Sequence, residues 1–369
     1  ETMGGASSRS ASTSRQLCAP LNKRDLKDYH DAFTPEICRA LWLHPKRLAK
    51  RLTRVRTRGL VVAGRPARYA CLLMRGIYPW DPAKPCQDAL FVDEGTSPWF
   101  AVMDGHGPHG EGCALFVRDT IAKVAAGFKA ERPELNDGEV LTLACEATNA
   151  MLHRQERVSS RDSGSTLTLV LATGDKLVVA NVGDSRAVVG TRNKETGAVA
   201  ARALSRDQTP YRADERARLR EAGARVLTID QLTGRAPPTD DYLCELGDEI
   251  DEKGDPPRVF LPDDDTPGTA FSRSLGDAVA ESVGCVATPE IDEISVKEDD
   301  AVVVVASDGV WEFMTNQQVI DMVVEAGDPF VACARVVAKA AYEWATREQR
   351  TDDISCIVVF LDERGGKKA

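Results

Sequence analysis

Phe100-Ala101-Val102-Met103-Asp104-Gly105-His106-Gly107 is an apolar run that ends abruptly in Asp-Gly-His-Gly. A short apolar run bounded by a turn signal is typical of a buried strand. Such a strand delivers the carboxylate of Asp104 to its tip, and Gly105 lets the backbone pass close to whatever that carboxylate binds. His106 follows within reach of the same point. The stretch therefore predicts a central strand with a functional site at its end.

Four further aspartates stand at the ends of apolar runs. Asp88 precedes residues 89–92, Asp184 follows 177–183, Asp308 follows 301–307 and Asp352 precedes 355–361. Asp-Gly is a common hairpin signal, so turn formation explains any one of these positions. It explains all five less well, because acidic residues are poor strand formers.

Carboxylates that converge repel one another and need a cation to stay ionised together. Ligands that are all oxygen favour Mg²⁺ or Mn²⁺ over zinc. Two such ions about 4 Å apart share a water molecule and lower its pKa, as a phosphoester hydrolase requires. His106 would then protonate the leaving oxygen, or it is a turn histidine bonded to the backbone. The residues alone leave both interpretations open.

The charge of the 369-residue chain is unevenly distributed. The net charge is −10, but seven Lys or Arg and no acid lie between Leu41 and Arg58, so the remainder carries −17. An acidic body argues against nucleic acid as a partner and suits a protein that concentrates cations. Ten scattered cysteines without a C-x-x-C pair fit a reducing cytosolic or nuclear compartment.

Both ends of the chain are expected to be tails. Residues 1–20 are predicted to be disordered and 363–369 to form a C-terminal tail. Met3-Gly4-Gly5-Ala6-Ser7-Ser8 fits the N-myristoylation pattern, with Gly4 as acceptor if Met3 is the natural start. The alternative is a flexible tail of small residues. Since one acyl chain binds membranes only marginally, the basic segment 46–58 would supply the second signal.

Residues 21–64 are expected to be a basic helical extension. Within the helical pattern of 21–58, Leu41, Leu48, Leu52 and Val55 would share one face. This face packs on the main domain or docks to a membrane or partner. The main domain is placed at 65–362.

The main domain alternates strand-like and helical segments. Strands are predicted at 69–74, 89–92, 301–306 and 355–361, and a three-strand meander at 166–173, 176–181 and 185–190. Helices are predicted at 113–130, 139–158, 214–222, 317–326 behind a Thr315–Gln318 capping box, and 329–347. Residues 235–268 are predicted to form a long, irregular surface loop. Sheets with helices packed outside them follow from this order.

The motifs resemble those of the metal-dependent protein phosphatases of type 2C. The resemblance covers roughly residues 65–362 and rests on five motifs in the family's order: Phe100 to Gly107, Val182-Gly183-Asp184-Ser185-Arg186, Ser272-Arg273-Ser274-Leu275-Gly276-Asp277, Ala306-Ser307-Asp308-Gly309 and Thr351-Asp352-Asp353-Ile354-Ser355. Pro108-His109-Gly110 and the 258–268 region resemble plant-type members, a pattern also expected in protists.

The resemblance implies an α+β fold, a four-layer α-β-β-α sandwich of two antiparallel sheets flanked by helices. It implies hydrolysis of phosphoserine and phosphothreonine in proteins by a water that two Mg²⁺ or Mn²⁺ ions activate, without a phosphoenzyme. A flap with an acidic insert would occupy residues 206–268. By resemblance, Asp104 bridges two metal ions, and the Gly105 carbonyl is a further ligand. Asp308 and Asp352 complete the first ion site, and Asp88 lies near the second ion. Asp184, with Asp308, would hold a weaker third ion.

The resemblance also assigns His106 as general acid and places Gln87, Asp277 and Asp353 beside the ligands. Two departures stand out. Many members have Glu where this chain has Gln87, which predicts weaker binding of the second ion. Many also have a phosphate-binding Arg where this chain has Ala83. Lys84 or Arg75 would have to replace it. Unlike an arginine, a lysine cannot bind the phosphate through two parallel hydrogen bonds.

The expected partners are phosphorylated proteins as substrates, with no nucleic acid and a monomeric state. The expected location is cytoplasmic, with peripheral membrane association through an acylated N-terminus. A nuclear location is the alternative. An acidic insert around 240–265 is a solvated loop or selects basic phosphosites. The alternative functions are a pseudophosphatase or membrane-recruited scaffold that keeps the fold, and a hydrolase of small phosphoesters.

Overall fold

The computed structural model describes residues 23–41, 47, 49–56, 60–237, 239, 242 and 254–362. The predictions for the two tails, for Gly4 and for residues 240, 241 and 243–253 of the acidic insert fall outside these residues.

The described chain contains short strands in both halves and helices mainly in pairs. The strands are β1 Leu52–Arg56, β2 Leu60–Val62, β3 Arg65–Met74, β4 Ala89–Asp93, β5 Trp99–Met103, β6 Gly105–His106, β7 Gly164–Ser165, β8 Leu167–Thr173, β9 Lys176–Val182, β10 Arg186–Arg192, β11 Val199–Ala203, β12 Arg225–Leu227, β13 Arg258–Leu261, β14 Asp264–Thr269, β15 Leu275–Gly276, β16 Glu290–Ser295, β17 Asp300–Ala306 and β18 Ile354–Leu361. The helices are α1 Lys23–Ala32, α2 Pro35–Ala40, α3 Gly110–Glu131, α4 Asp137–Leu152, α5 Ala213–Glu221, α6 Ile229–Leu232, α7 Ala278–Glu281, α8 Asp308–Trp311, α9 Asn316–Ala326 and α10 Pro329–Arg347, with a 3-10 turn at Ala49–Arg51.

Two antiparallel sheets form the centre of the fold. One has the order β1-β3-β18-β17-β10-β11 with β2 added to β3, and the other has the order β16-β9-β8-β5-β4. Helices α9 and α10 pack on the first sheet, and α3 and α4 pack on the second. The predicted four-layer α-β-β-α sandwich is therefore confirmed. Among the described helices, none is long and apolar enough to cross a membrane.

Strand β5 shows how the layers arise from the sequence. Successive side chains of a strand point to opposite faces. Phe100 and Val102 lie in the core between the two sheets, while Ala101 and Met103 lie in the core under α3 and α4. Because both faces are buried, the strand is apolar at every position, and the first polar side chain falls just beyond its end, at Asp104.

The predicted basic helix over 21–58 is wrong in its second half. Helices α1 and α2 pack on α10, but Leu52–Arg56 form strand β1, antiparallel to β3. Leu52 and Val55 therefore do not share a helical face with Leu41. The alternation Thr53-Arg54-Val55-Arg56 suits a sheet edge, where β3 supplies the backbone hydrogen bonds. The sheet thus begins before the predicted domain start at residue 65.

The predicted meander is also wrong in its third strand. Strands β8 and β9 pair as expected, but β10 leaves their sheet and pairs with β17 and β11 in the other. The turn at Gly183, where φ is +107°, carries the chain between the sheets. Glycine is needed there because a Cβ atom would overlap the side chain of Thr166.

Two smaller boundaries differ, and the remaining predicted elements are confirmed. Part of the predicted irregular loop 235–268 forms β-structure, since β13 and β14 make a small sheet with β12. Helix α4 ends at Leu152, short of the predicted residue 158. The Thr315–Gln318 capping box opens α9, and α10 has the predicted bounds.

Candidate active site

The strand register brings four of the predicted carboxylates to one place. Ala89 pairs with Met103 across β4 and β5, so Asp88 and Asp104 stand next to each other beyond that pair. In the other sheet, Ala306 pairs with Cys356 across β17 and β18, which places Asp308 near Asp352. The carboxyl groups of Asp104 and Asp308 lie close enough to each other across the two sheets for the charge of Asp308 to raise the pKa of Asp104. The site therefore lies where the ends of both sheets meet.

Asp184 joins this group from the turn between the sheets. Arg186 pairs with Ala306 across β10 and β17, so Asp184 lies beside Asp308. Both line a cavity of about 90 Å³, together with Glu312, which sequence reasoning missed. Burial and then the charge of Asp308 raise the pKa of Asp184 well above its ordinary value.

Asp88 is almost completely buried and only half satisfied. Its Oδ2 accepts a hydrogen bond of 3.0 Å from the Ser307 hydroxyl. Its Oδ1 is buried with no hydrogen-bond partner among the described residues. The Ser355 hydroxyl lies close enough to lower the pKa of Asp88 but makes no hydrogen bond to Oδ1. Because a buried carboxylate oxygen without a partner is costly, a bound ligand at Oδ1 would be stabilising.

The carboxyl groups raise one another's pKa values. Burial is the largest cause at Asp88 and at Asp104, and the charges of Asp353 and Asp308, respectively, add to it. Burial, with a contribution from Asp352, raises the pKa of Asp308 to about 6. At neutral pH these groups favour a compensating positive charge.

Asp352 is held by two residues that sequence reasoning missed. Its Oδ1 accepts a hydrogen bond of 2.5 Å from the Tyr78 hydroxyl, and its Oδ2 accepts one of 3.1 Å from Arg350. Tyr78 lies in the loop between β3 and β4, where nothing in the local sequence marks it as a residue of the site. The proximity of Arg350 in sequence was the one available hint.

Asp353 fixes the loop between β3 and β4. One carboxylate oxygen accepts from the Gly76 amide at 2.6 Å, and the other accepts from the Gln87 amide at 2.7 Å. Asp353 thus ties both ends of that loop to the start of β18. Its predicted place beside the ligands agrees with these contacts.

Gln87 faces the turn that contains His106. Its side-chain Nε2 donates a hydrogen bond of 2.7 Å to the Gly107 carbonyl. The Gly105 amide donates to the backbone carbonyl of Gln87 at 3.2 Å. A Cβ atom on Gly105 would overlap the carbonyl oxygens of Gly110 and Gln87, so only glycine fits at this predicted ligand position.

His106 has a side-chain partner rather than a backbone one. Its Nε2 lies 2.5 Å from Oδ2 of Asp277, and its ring centroid lies 4.3 Å from that of Phe271. The interpretation as a turn histidine bonded to the backbone is not what the structure shows.

The two candidates for binding substrate phosphate differ in their surroundings. The Lys84 ammonium lies 4.0 Å from the centroid of the Tyr78 ring, the same tyrosine that donates to Asp352. Arg75 donates through Nη2 to the Pro82 carbonyl at 2.5 Å. Arg75 is therefore engaged in holding its own loop, whereas Lys84 lies over the ring of the tyrosine that donates to Asp352.

A second acidic cluster is occupied by arginines. The carboxylate oxygens of Asp214, Glu215 and Glu290 lie close enough together to hold a metal ion. Arg212 pairs with Asp214 and Glu290, however, and Arg273 and Arg218 pair with Glu215. These guanidinium groups already neutralise the cluster, which makes it an ion-pair network anchoring α5.

The carboxylates around Asp104 fit hard divalent cations. The donors are oxygens, they repel one another, and one buried oxygen of Asp88 lacks a partner. Mg²⁺ and Mn²⁺ prefer this donor set.

Comparison with known proteins shows the family of the chain. The family profile named Protein phosphatase 2C matches residues 92–352. The chain is 40% identical over 300 residues to "Probable protein phosphatase 2C 35" of Arabidopsis thaliana, covering 79% of this chain and 83% of that protein. It is 32% identical to "Probable protein phosphatase 2C 72" of the same plant, covering 71% and 76% of the two chains. A crystal structure of serine-threonine phosphatase 2C from Toxoplasma gondii superposes with a TM-score of 0.63 at 16% identity, covering 84% of this chain and 99% of that one, so this likeness concerns the fold alone.

Replacing Asp308 by Asn should change stability in opposite ways without and with metal. The folded-state pKa of Asp308, about 6, exceeds the ordinary aspartate value of 3.8, so folded protein keeps a proton that unfolded protein loses. Metal-free wild type should therefore lose stability as pH rises from about 4 through 6. At pH 7.5 without metal, Asp308→Asn should melt about 2–4 °C above wild type, the effect of about 1 kcal/mol in a large domain.

Saturating Mn²⁺ should raise the melting temperature of wild type and have a much smaller effect on Asp308→Asn. Differential scanning fluorimetry over pH, with EDTA or Mn²⁺, measures both effects. Asp175→Asn makes the same change at an exposed hairpin turn and should behave as wild type. A full Mn²⁺ response in Asp308→Asn would contradict a metal site at this residue.

Proposed function

Because this chain belongs to the protein phosphatase 2C family, we propose that it hydrolyses phosphoserine and phosphothreonine esters of proteins with the help of Mg²⁺ or Mn²⁺. Family membership makes it a protein phosphatase, and the family is metal-dependent. The observation that supports the metal chemistry most directly is the buried, partnerless Oδ1 of Asp88 within a group of mutually repelling carboxylates.

The proposed metal ligands are those that the resemblance implies. Asp88, Asp104, Asp308 and Asp352 would hold two ions with the Gly105 carbonyl, and Asp184 with Asp308 a weaker third. When bound, these ions would neutralise phosphate charge and lower the pKa of a water molecule.

The chain's own groups set up the remaining chemistry. Tyr78 and Arg350 hold Asp352 in place, and Asp353 fixes the loop that carries Lys84. Lys84 would bind the substrate phosphate, and His106 would carry the proton for the leaving oxygen. Gln87 would hold the turn at Gly107 through Nε2, and its uncharged amide oxygen would bind the second ion more weakly than a Glu carboxylate.

The scaffold and small-phosphoester alternatives have weaker support. A pseudophosphatase needs no convergent carboxylates. In this chain the carboxylates of Asp88, Asp104, Asp308 and Asp352 converge, and Oδ1 of Asp88 has no hydrogen-bond partner among the described residues. A hydrolase of small phosphoesters would use the same ions, and only substrate comparison separates it. A monomeric state and a cytoplasmic, membrane-associated location remain proposals.

Turnover of a phosphoserine peptide should require Mn²⁺ or Mg²⁺ and stop in EDTA. Asp308→Asn should lower kcat/KM by roughly 100-fold or more, since metal contacts contribute several kcal/mol to transition-state stabilisation. Phosphate release from phosphopeptides, nucleotides and aryl phosphates measures this, with Asp175→Asn as the matched control.

Each alternative has its own outcome in that assay. Phosphopeptide turnover that persists in EDTA would contradict the metal-dependent reaction. Preference for nucleotides would favour the small-phosphoester hydrolase, and an inactive Mn²⁺-loaded wild type would favour the scaffold.

Lys84→Met should raise KM for a phosphopeptide about 10-fold, because a charge-assisted contact to phosphate is worth about 1.5 kcal/mol or more. The effect on kcat should be smaller. Steady-state kinetics at fixed salt checks this, and Lys123→Met, an exposed lysine on α3, serves as control. An unchanged KM would remove Lys84 from phosphate binding.

The N-terminal pattern predicts myristoylation of Gly4 in the native protein. Cells fed a myristate analogue should label the wild type but not Gly4→Ala, and the label should accompany partial membrane binding. Absence of label on the wild type would remove the proposed membrane attachment.

A further inference from the structure

The imidazole of His106 is fixed on two sides. Its Nε2 lies 2.5 Å from Oδ2 of Asp277, whose side chain is 4% exposed. The ring of Phe271, itself buried, lies at 4.3 Å and 40° to the imidazole plane. An edge contact through one nitrogen and a face contact together leave the ring little rotational freedom.

The backbone around Asp277 is shaped for this carboxylate. Asp277 has φ 52° and ψ 51°, a left-handed conformation that few non-glycine residues adopt. Its amide donates to the Ser163 carbonyl at 2.9 Å. A Cβ atom on Gly164 would overlap Oδ2 of Asp277, so the neighbouring strand leaves room for this side chain. Backbone strain of this kind concentrates at functional sites.

The contact at Nε2 leaves one ring nitrogen for chemistry. No part of the chain that the structure describes hydrogen-bonds to Nδ1 of His106. An imidazole that donates through Nε2–H to a carboxylate presents Nδ1 as its second nitrogen, and the partner decides which tautomer forms.

We propose that Asp277 is a positioning residue, which holds His106 by Nε2 so that Nδ1 delivers the proton to the leaving oxygen. This inference rests on the proposed phosphatase function. The donor is the imidazolium form of His106, which carries N–H on both ring nitrogens and keeps Nε2–H to Asp277 throughout. The Nδ1–H bond breaks and its proton passes to the ester oxygen, while the bond from that oxygen to phosphorus breaks and leaves its electron pair on the oxygen of the released alcohol. A new P–O bond forms to the oxygen of the water consumed; one proton of that water stays on the product phosphate, the other passes to solvent, and solvent returns a proton to Nδ1.

A purely structural role for the pair is the competing explanation. The pair connects β6 to the segment after β15, and β7 pairs with both of these strands. A structural tie would affect every substrate alike. A positioned acid matters only when the leaving group needs a proton.

Asp277→Asn separates the two explanations. Asn has nearly the same size and tolerates the left-handed conformation, but it removes the charge that holds the Nε2–H donor. We expect kcat for a phosphoserine peptide to fall roughly 10- to 100-fold. Hydrolysis of p-nitrophenyl phosphate, whose phenolate leaves without a proton, should fall at most a few-fold. Because both rates come from one preparation, their ratio does not depend on the folded fraction.

Two further variants complete the experiment. His106→Asn should show the same substrate dependence, and the double variant should be no slower on the peptide than His106→Asn alone. Asp300→Asn alters another buried aspartate, at the opposite end of β17 from the site, and should leave the ratio of the two rates unchanged.

Equal losses on both substrates, or additive losses in the double variant, would overturn the positioning role while leaving the proposed function intact. A Mn²⁺-loaded wild type inactive on both substrates would contradict the proposed function, and this inference with it.

Discussion

Mutual repulsion among buried carboxylates is the constraint on which the site depends. Asp88, Asp104 and Asp308 each have a raised pKa because burial removes water and neighbouring acids add negative charge. A protein can tolerate such a group if protons or cations compensate it. The partnerless Oδ1 of Asp88 indicates that hydrogen bonds within the described chain do not satisfy the group completely. Metal binding at this site would therefore offset the repulsion among the carboxylates and stabilise the folded protein.

The two sheets make this arrangement possible because each contributes a pair of neighbouring strand ends. Adjacent antiparallel strands place the start of one beside the end of the other, which sets Asp88 by Asp104 and Asp352 by Asp308. The core between the sheets then fixes the distance between the two pairs. Asp353 and Gln87 hold the connecting loops, and Asp277 with Phe271 holds His106.

Much of this could be predicted from local sequence, and the limits have a physical cause. Aspartates at the ends of apolar runs are visible in sequence, and so are a capping box at Thr315 and a 19-residue helix. Tyr78 and Ser307 were missed because their roles depend on contacts with residues far away in the sequence. Strand β1 was taken for helix because Leu52 and Val55, three residues apart, fit the helical period. Nothing local tells β10 which sheet to join, since it is apolar on both faces.

Anomalous diffraction from crystals grown with saturating Mn²⁺ tests the central claim most directly. The account predicts manganese peaks at the junction of the two sheets, with an Asp104 carboxylate oxygen within roughly 2.0–2.2 Å of an ion and Asp88 and Asp308 beside it. Absence of manganese from this junction, or an Asp104 carboxylate more than about 3 Å from every ion, would contradict the account.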